Sequence, residues 1–314
     1  MNLIAITSYF NPFRGKLRRR NYEVFRKHLG IPLLTVEWSQ DGNFELSEVD
    51  ADYLLQISGG DLLWQKERLL NLGLARVREL GISRAALLDC DVVFADREWH
   101  LKVNKTLDRY SISQCYKYVN YLPAFDYSRL TREELMSLQP ELRLDSLSYG
   151  MLQSKSLYRT EKALHAIEAL TSLSGNPGMA VALRLDDHPD FRLYEGNLVG
   201  GGDIVLMAAF TGRLGELFSV CPYSPHHQSH IRSWQSRNIP IAGKLGYADN
   251  QLLHLWHGDM KKRKYRERYT ILTENNYDPC CDIDSSHLTS LKLAEKSIRL
   301  RELIADYLFS RTDF

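Results

Sequence analysis

No stretch of about eighteen apolar residues occurs in the chain, so nothing in it reads as a transmembrane helix. Met1–Thr7 lacks the basic start and long apolar centre of a secretory leader and reads instead as a first strand. The five cysteines (Cys90, Cys115, Cys221, Cys280 and Cys281) show neither CxxC nor Cys/His zinc spacing. An odd number without such spacing argues against a disulfide framework and fits reduced thiols in a cytoplasmic protein. Charge of one sign is also lacking: 40 basic residues against 39 acidic leave a formal +1. The whole chain therefore has no global pull towards nucleic acid or a membrane, and any such preference must come from a local patch. There is no internal repeat and no low-complexity segment.

What is present is ordinary in bulk and specific in detail. With 314 residues, 44% hydrophobic and 25% charged, the chain can bury a large core. Leu3–Ile6 reads as a short buried strand and Thr7–Arg18 as a loop carrying the turn signals Asn11-Pro12 and Gly15. Tyr22, Phe25 and Leu29 then recur at helical spacing, and Leu33–Val36 reads as the next strand. Asp61 is positioned to N-cap a long amphipathic helix carrying Leu63, Leu70, Leu74 and Val77, ended by Gly81. Residues 110–160 are rich in tyrosine and suggest further strands with an exposed excursion. Thr160–Leu173 reads as a helix, Ala180–Arg184 as a strand, residues 221–240 as loop, and Leu288–Leu308 as an amphipathic helix. Alternating strands and helices indicate an α/β fold: a mixed, mostly parallel, Rossmann-like sheet flanked by helices. We divide it into a domain over residues 1–265 and a helical C-terminal extension over 266–314.

Three groups of residues carry chemistry. Asp89 and Asp91 stand between the apolar runs Ala85–Leu88 and Val92–Phe94, where carboxylates are costly unless paired, protonated or bound to metal. A strand ending in Asp-x-Asp suggests a cation site at the carboxyl edge of a sheet, although two solvated aspartates in a turn would look the same. Gly200, Gly201 and Gly202 strip every Cβ from the approach to Asp203, so another molecule could come close; Asp203 could equally be a helix N-cap. The run lacks the Lys-Ser/Thr of a P-loop. His254 and His257-Gly258 end a short strand, and imidazole with two carboxylates suits Mn2+ better than Mg2+. The basic run Lys261–Arg268 would ordinarily be a solvated face, but its position makes Lys261 or Lys262 candidates for neutralising a diphosphate. His226, His227 and His230 have no ligand spacing and read as loop.

In order and spacing, Trp64–Gly73, then Leu87-Leu-Asp-Cys-Asp-Val92, then Gly200–Asp203, then His257 resemble the GT-A-fold glycosyltransferases, and among them the metal-dependent, inverting β-galactosyltransferase group. In that family a helix ending in Leu-Leu-Asn-x-Gly leads to the Asp-x-Asp strand; Gly-Gly-x-Asp follows about a hundred residues on, and a histidine about fifty beyond that. The resemblance covers roughly residues 3–265 through four short motifs. It implies that Asp91 and His257 bind the metal, Mn2+ or Mg2+, with His254 as a further ligand. Asp89 would hold the donor or reach the metal through water. Trp64 and Lys66 would line the nucleoside pocket; Ser8, Tyr9, Asn11, Arg18 and Arg19 would bind base and diphosphate. Asp203 would be the general base of an inverting transfer from a nucleotide-sugar, a UDP-sugar by likeness.

The chain also departs from that pattern. Gly202 stands where the family has an acidic residue, and the aromatic residues leading into the motif are missing. The acceptor is accordingly open among a saccharide, a protein, a small molecule or a modified nucleic acid. His257-Gly258-x-x-Lys261 is similar to a pattern of retaining GT-A enzymes, which leaves stereochemistry open too. A nucleotidyltransferase, or a non-catalytic nucleotide- or sugar-binding module on the same fold, are the readings from other classes.

Overall fold

Leu3, Ala5 and Tyr9 alternate with Ile4, Ile6 and Phe10 along the first strand, and the two sets enter cores on opposite faces of one sheet. A strand buried on both faces needs such a continuous apolar run. The computed structural model describes residues 3–153, 175–239, 245–265 and 267–311. The chain begins β1 (Leu3–Phe10), α1 (Lys16–Leu29), β2 (Leu33–Ser39), β3 (Tyr53–Ser58), α2 (Lys66–Glu79), β4 (Arg84–Leu88), β5 (Val92–Phe94). It continues α3 (Trp99–Leu107), β6 (Ile112–Gln114), β7 (Tyr118–Tyr121), α4 (Arg132–Ser137), β8 (Leu142–Asp145), α5 (Leu147–Gln153), β9 (Ala180–Arg184). The last part holds α6 (Gly202–Phe210), α7 (Leu214–Val220), α8 (Pro225–Asn238), β10 (Leu245–Tyr247) and β11 (Gln251–His254). Two single turns, α9 (Thr270–Thr273) and α10 (Pro279–Asp282), precede α11 (Ile298–Ser310).

Seven strands form the main sheet in the order β10-β6-β9-β4-β1-β2-β3, parallel except at β9, which runs against both neighbours. Helices cover both faces, as the expected mixed α/β architecture requires. A second sheet of four strands, β5-β11-β7-β8, lies beyond the carboxyl end of β4. The Ala85–Phe94 stretch is thus two strands in two sheets, and Asp89-Cys90-Asp91 is the crossing between them.

The Trp64–Gly73 motif has a local physical explanation. A Cβ on Gly73 would collide with Ile6 of β1, so the glycine lets α2 lie close on the sheet. Asn71, on the same helix, accepts from Leu193 N at 2.7 Å and donates to Leu193 O at 3.0 Å and Glu195 Oε1 at 2.6 Å. That clamp fixes the segment leading into the glycine run.

Four sequence expectations are corrected. First, β1 continues through Phe10, so Ser8 and Tyr9 lie on a strand. Second, residues 225–238 are helical: Pro225 occupies the first turn, Ser224 Oγ accepts from His227 N, and His227, Ile231 and Trp234 bury one face. Third, Asp61 is not the cap of α2; it is buried, accepts from Leu293 N at 2.7 Å and pairs with Arg301. Fourth, helix α11 starts only at Ile298. The residues before it run as a strap held by Asp61 and by Gln65, whose side chain accepts from Leu291 N at 2.8 Å. The helix expected at Thr160–Leu173 lies outside the described residues. No helix among the described residues is long and apolar enough to cross a membrane.

Candidate active site

The carboxyl end of β4 is pinned before it reaches the site. Thr7 Oγ1 donates to Leu88 O at 2.7 Å, and Asp89 N donates to Met179 O at 2.8 Å. Beyond the crossing, Leu255 N donates to Asp91 O at 2.8 Å, which sets the end of β11 beside Asp91. Asp91, His254 and His257 are all buried, and one donor atom from each lies within 4.8 Å of the other two. His254 Nε2 stands 3.8 Å from Asp91 Oδ1, and the two imidazole rings meet edge to face at 4.6 Å. Burial lowers the His254 pKa, with Asp91 opposing, so the ring is held neutral and keeps a lone pair for a ligand. Asp91 Oδ1 is buried without a hydrogen-bond partner, a costly state for a carboxylate oxygen. Its other oxygen lies 3.6 Å from Arg18 Nη1.

Asp89 faces the other way. It is ion-paired with Lys66 at the start of α2. Burial pulls the Lys66 pKa down, but Asp89, Asp203 and Glu67 outweigh it and hold the ammonium charged. The two acids of the Asp-x-Asp turn are therefore divided, one to a lysine and one to two histidines.

Asp203 lies in the first turn of α6, against Gly178, and its Oδ1 accepts from Ile204 N. The helix N-cap is Gly201, so Asp203 is not the N-cap, although it bonds a first-turn amide. Gly200 and Gly201 have φ of +94° and +95°, a conformation that side chains rarely adopt. The volume that the three glycines clear is filled by the chain's own side chains. Arg268 and Trp64 lie over Gly200, Tyr269 over Gly201, and the Glu67 carboxyl over Gly202. Burial pushes Glu67 up to about 7, with Lys66 opposing and the Asp203 charge adding.

One pocket is lined by Ser8, Arg18, Trp64, Lys66, Asp89, Asp91, Gly201, Asp203, His254 and His257, all residues singled out in the sequence. Others of that set lie elsewhere. Tyr9 and Asn11 are buried and bonded to Glu45 and to each other, and Arg19 pairs with Asp50 and Glu23. Lys261 is exposed in a 3-10 turn outside the pocket, so the His-Gly-x-x-Lys pattern brings no lysine to the site. The pocket receives Arg263, Arg268 and Arg311 instead, together with Glu67. Arg268 belongs to the basic run that reads as a solvated face; Glu67 had only its place in the α2 motif as a signal, and Arg311 none.

No protein-family model and no curated protein matches this chain. Among solved structures it is similar to a putative nucleotide-diphospho-sugar transferase from Desulfovibrio desulfuricans G20, with 11% identity over 87% of this chain and 94% of that one, and a TM-score of 0.35. It is also similar to S. aureus TarS 1-349 in complex with UDP-GlcNAc, with 10% identity over 99% and 72% and a TM-score of 0.38. Mouse xyloside xylosyltransferase 1 shares 11% identity over 81% and 84%, with a TM-score of 0.31. At these values the likenesses carry no argument about activity.

Proposed function

We propose that the chain is a metal-dependent glycosyltransferase that moves a sugar from a nucleotide diphosphate, a UDP-sugar in this reading, to an acceptor hydroxyl. One observation carries the proposal: Asp91, His254 and His257 bring one potential ligand atom each within 4.8 Å of one another, in the same pocket that holds Asp203 and the buried arginines. The residues fit a divalent cation. Asp91 offers a buried oxygen with no hydrogen-bond partner, and His254 a neutral imidazole. One carboxylate with two imidazoles suits Mn2+, and Mg2+ less well. Such an ion, when bound, would neutralise charge growing on the departing diphosphate.

The protein's own groups supply the rest. Lys66, locked to Asp89, places a cation beside the donor, and Arg18 places another beside Asp91. Asp203 accepts the proton of the acceptor hydroxyl as that oxygen bonds to the anomeric carbon. The bond from that carbon to the diphosphate oxygen breaks, and its electron pair leaves with the nucleotide. Attack from the face opposite the leaving group gives inversion.

Incubating the chain with Mn2+ and a panel of nucleotide sugars tests the reading, with NMR of the product anomer. One donor should release its nucleoside diphosphate. Asp203→Asn should keep donor binding while lowering transfer by about a hundredfold or more. Unchanged transfer would place the base elsewhere, and a panel with no binder would sink the proposal.

A further inference from the structure

We infer that Arg268 and Arg311 form a diphosphate-binding pair, which makes the C-terminal extension a wall of the donor site; this inference rests on the nucleotide-sugar reading above. Arg268 is only 6% exposed and lines the pocket. Its guanidinium lies over the rings of Tyr265 and Tyr269, 5.0 and 5.3 Å from their centroids, and its Nε has no hydrogen-bond partner. Among the described residues no carboxylate lies within ion-pair distance of it. A buried guanidinium without a counter-charge is costly, and a pocket beside it gives an anion a place to supply that charge.

Arg311 reaches the same pocket from the other end of the extension. It is 5% exposed and lies over the Trp64 ring at 4.7 Å. Trp64 in turn lies beside Gly200, and a Cβ there would stand 3.2 Å from Arg268 Nη1. The glycine run, Trp64 and the two arginines thus pack as one wall. Both arginines carry the planar fork that matches phosphate oxygens two at a time. The extension is also anchored next to that wall, because its strap bonds to Asp61 and Gln65, which flank Trp64 in sequence. An acid pair (Glu67 and Asp203) and an arginine pair then face one pocket, suited to an acceptor hydroxyl and a diphosphate respectively.

Isothermal titration of the full chain with Mn2+ tests this, using UDP, GDP, ADP and inorganic pyrophosphate as probes. Wild type should bind a nucleoside diphosphate, and Arg268→Met and Arg311→Ala should each weaken it roughly tenfold or more. Ligand-free Arg268→Met should melt at or above the wild-type temperature, because an uncompensated buried charge has gone. A fall in its Tm with unchanged affinity would make Arg268 a packing residue and overturn the inference. So would an Arg311→Ala variant that binds as tightly as wild type, or a wild type that binds no probe at all. Wild-type binding of pyrophosphate but of no nucleotide, lost in the variants, would sink the nucleotide reading and leave the arginine pair standing.

Discussion

The carboxyl of Glu67 rests on the bare backbone of Gly202, where any Cβ would collide with its Cγ, Cδ and Oε1. The two residues are far apart in sequence, on the first turns of α2 and α6, and their contact brings a second acid next to Asp203.

Gly202→Ala should therefore destabilise the protein by about 1–3 kcal/mol through overpacking. Pairing it with Glu67→Ala, which empties the contested space, should recover part of that loss. Urea unfolding of the single and double variants measures both. A single variant as stable as wild type would show that Glu67 moves aside at no cost.

The raised Glu67 pKa gives a signed pH dependence. Between about 4.5 and about 7 the folded state keeps a proton that the unfolded chain has released, so this group's contribution to stability falls as pH rises through that window. Glu67→Gln mimics the protonated form. It should come within about 1 kcal/mol of wild type at pH 5 and exceed it at pH 8 by about 3 kcal/mol at most. Denaturant midpoints at the two pH values give the answer, and the comparison between variant and wild type cancels the titration of groups common to both.

Mn2+ should raise the Tm of the chain by roughly 5 °C at a hundredfold excess over its Kd. Asp91→Ala should abolish that shift, and EDTA should reverse it in wild type. A shift that survives Asp91→Ala would place the cation elsewhere.

Asp61→Ala should cost about 2–4 kcal/mol, since it leaves Leu293 N and the Arg301 guanidinium without their buried partner. Hydrogen exchange should rise along residues 288–297 before it rises in the sheet. Unchanged exchange there would mean that Gln65 alone holds the strap.

Much of this was legible in the sequence, and the failures have identifiable causes. Double burial makes β1, β2 and β4 visible as apolar runs, and the acids stand out because they interrupt one. Strand β3 has no fully buried side chain, and its short apolar run is broken by Gln56. Helix α8 hides because Pro225 looks like a breaker, whereas at a first helical turn it lacks only an N–H that would be unbonded anyway. Asp61 has the residue type and place of an N-cap, but its partners, Leu293 and Arg301, lie more than two hundred residues away and no local pattern announces them. The arginines show the same limit. A cation in a basic run reads as solvated, and only three-dimensional packing separates buried Arg268 from exposed Lys261.

The Asp89-Cys90-Asp91 crossing also bears on how this chain could be recombined with others of similar architecture. Because one carboxylate is paired with Lys66 on helix α2 and the other lies beside His254 of the small sheet, a junction placed between them would divide the site along its seam. Residues 85–94 and 251–257 form one inheritable block, joined by the β5–β11 ladder and by the Leu255–Asp91 hydrogen bond. A chimera that exchanges them together keeps the Asp91–His254–His257 cluster intact, while one that exchanges either alone pairs a carboxylate with histidines that were never fitted to it.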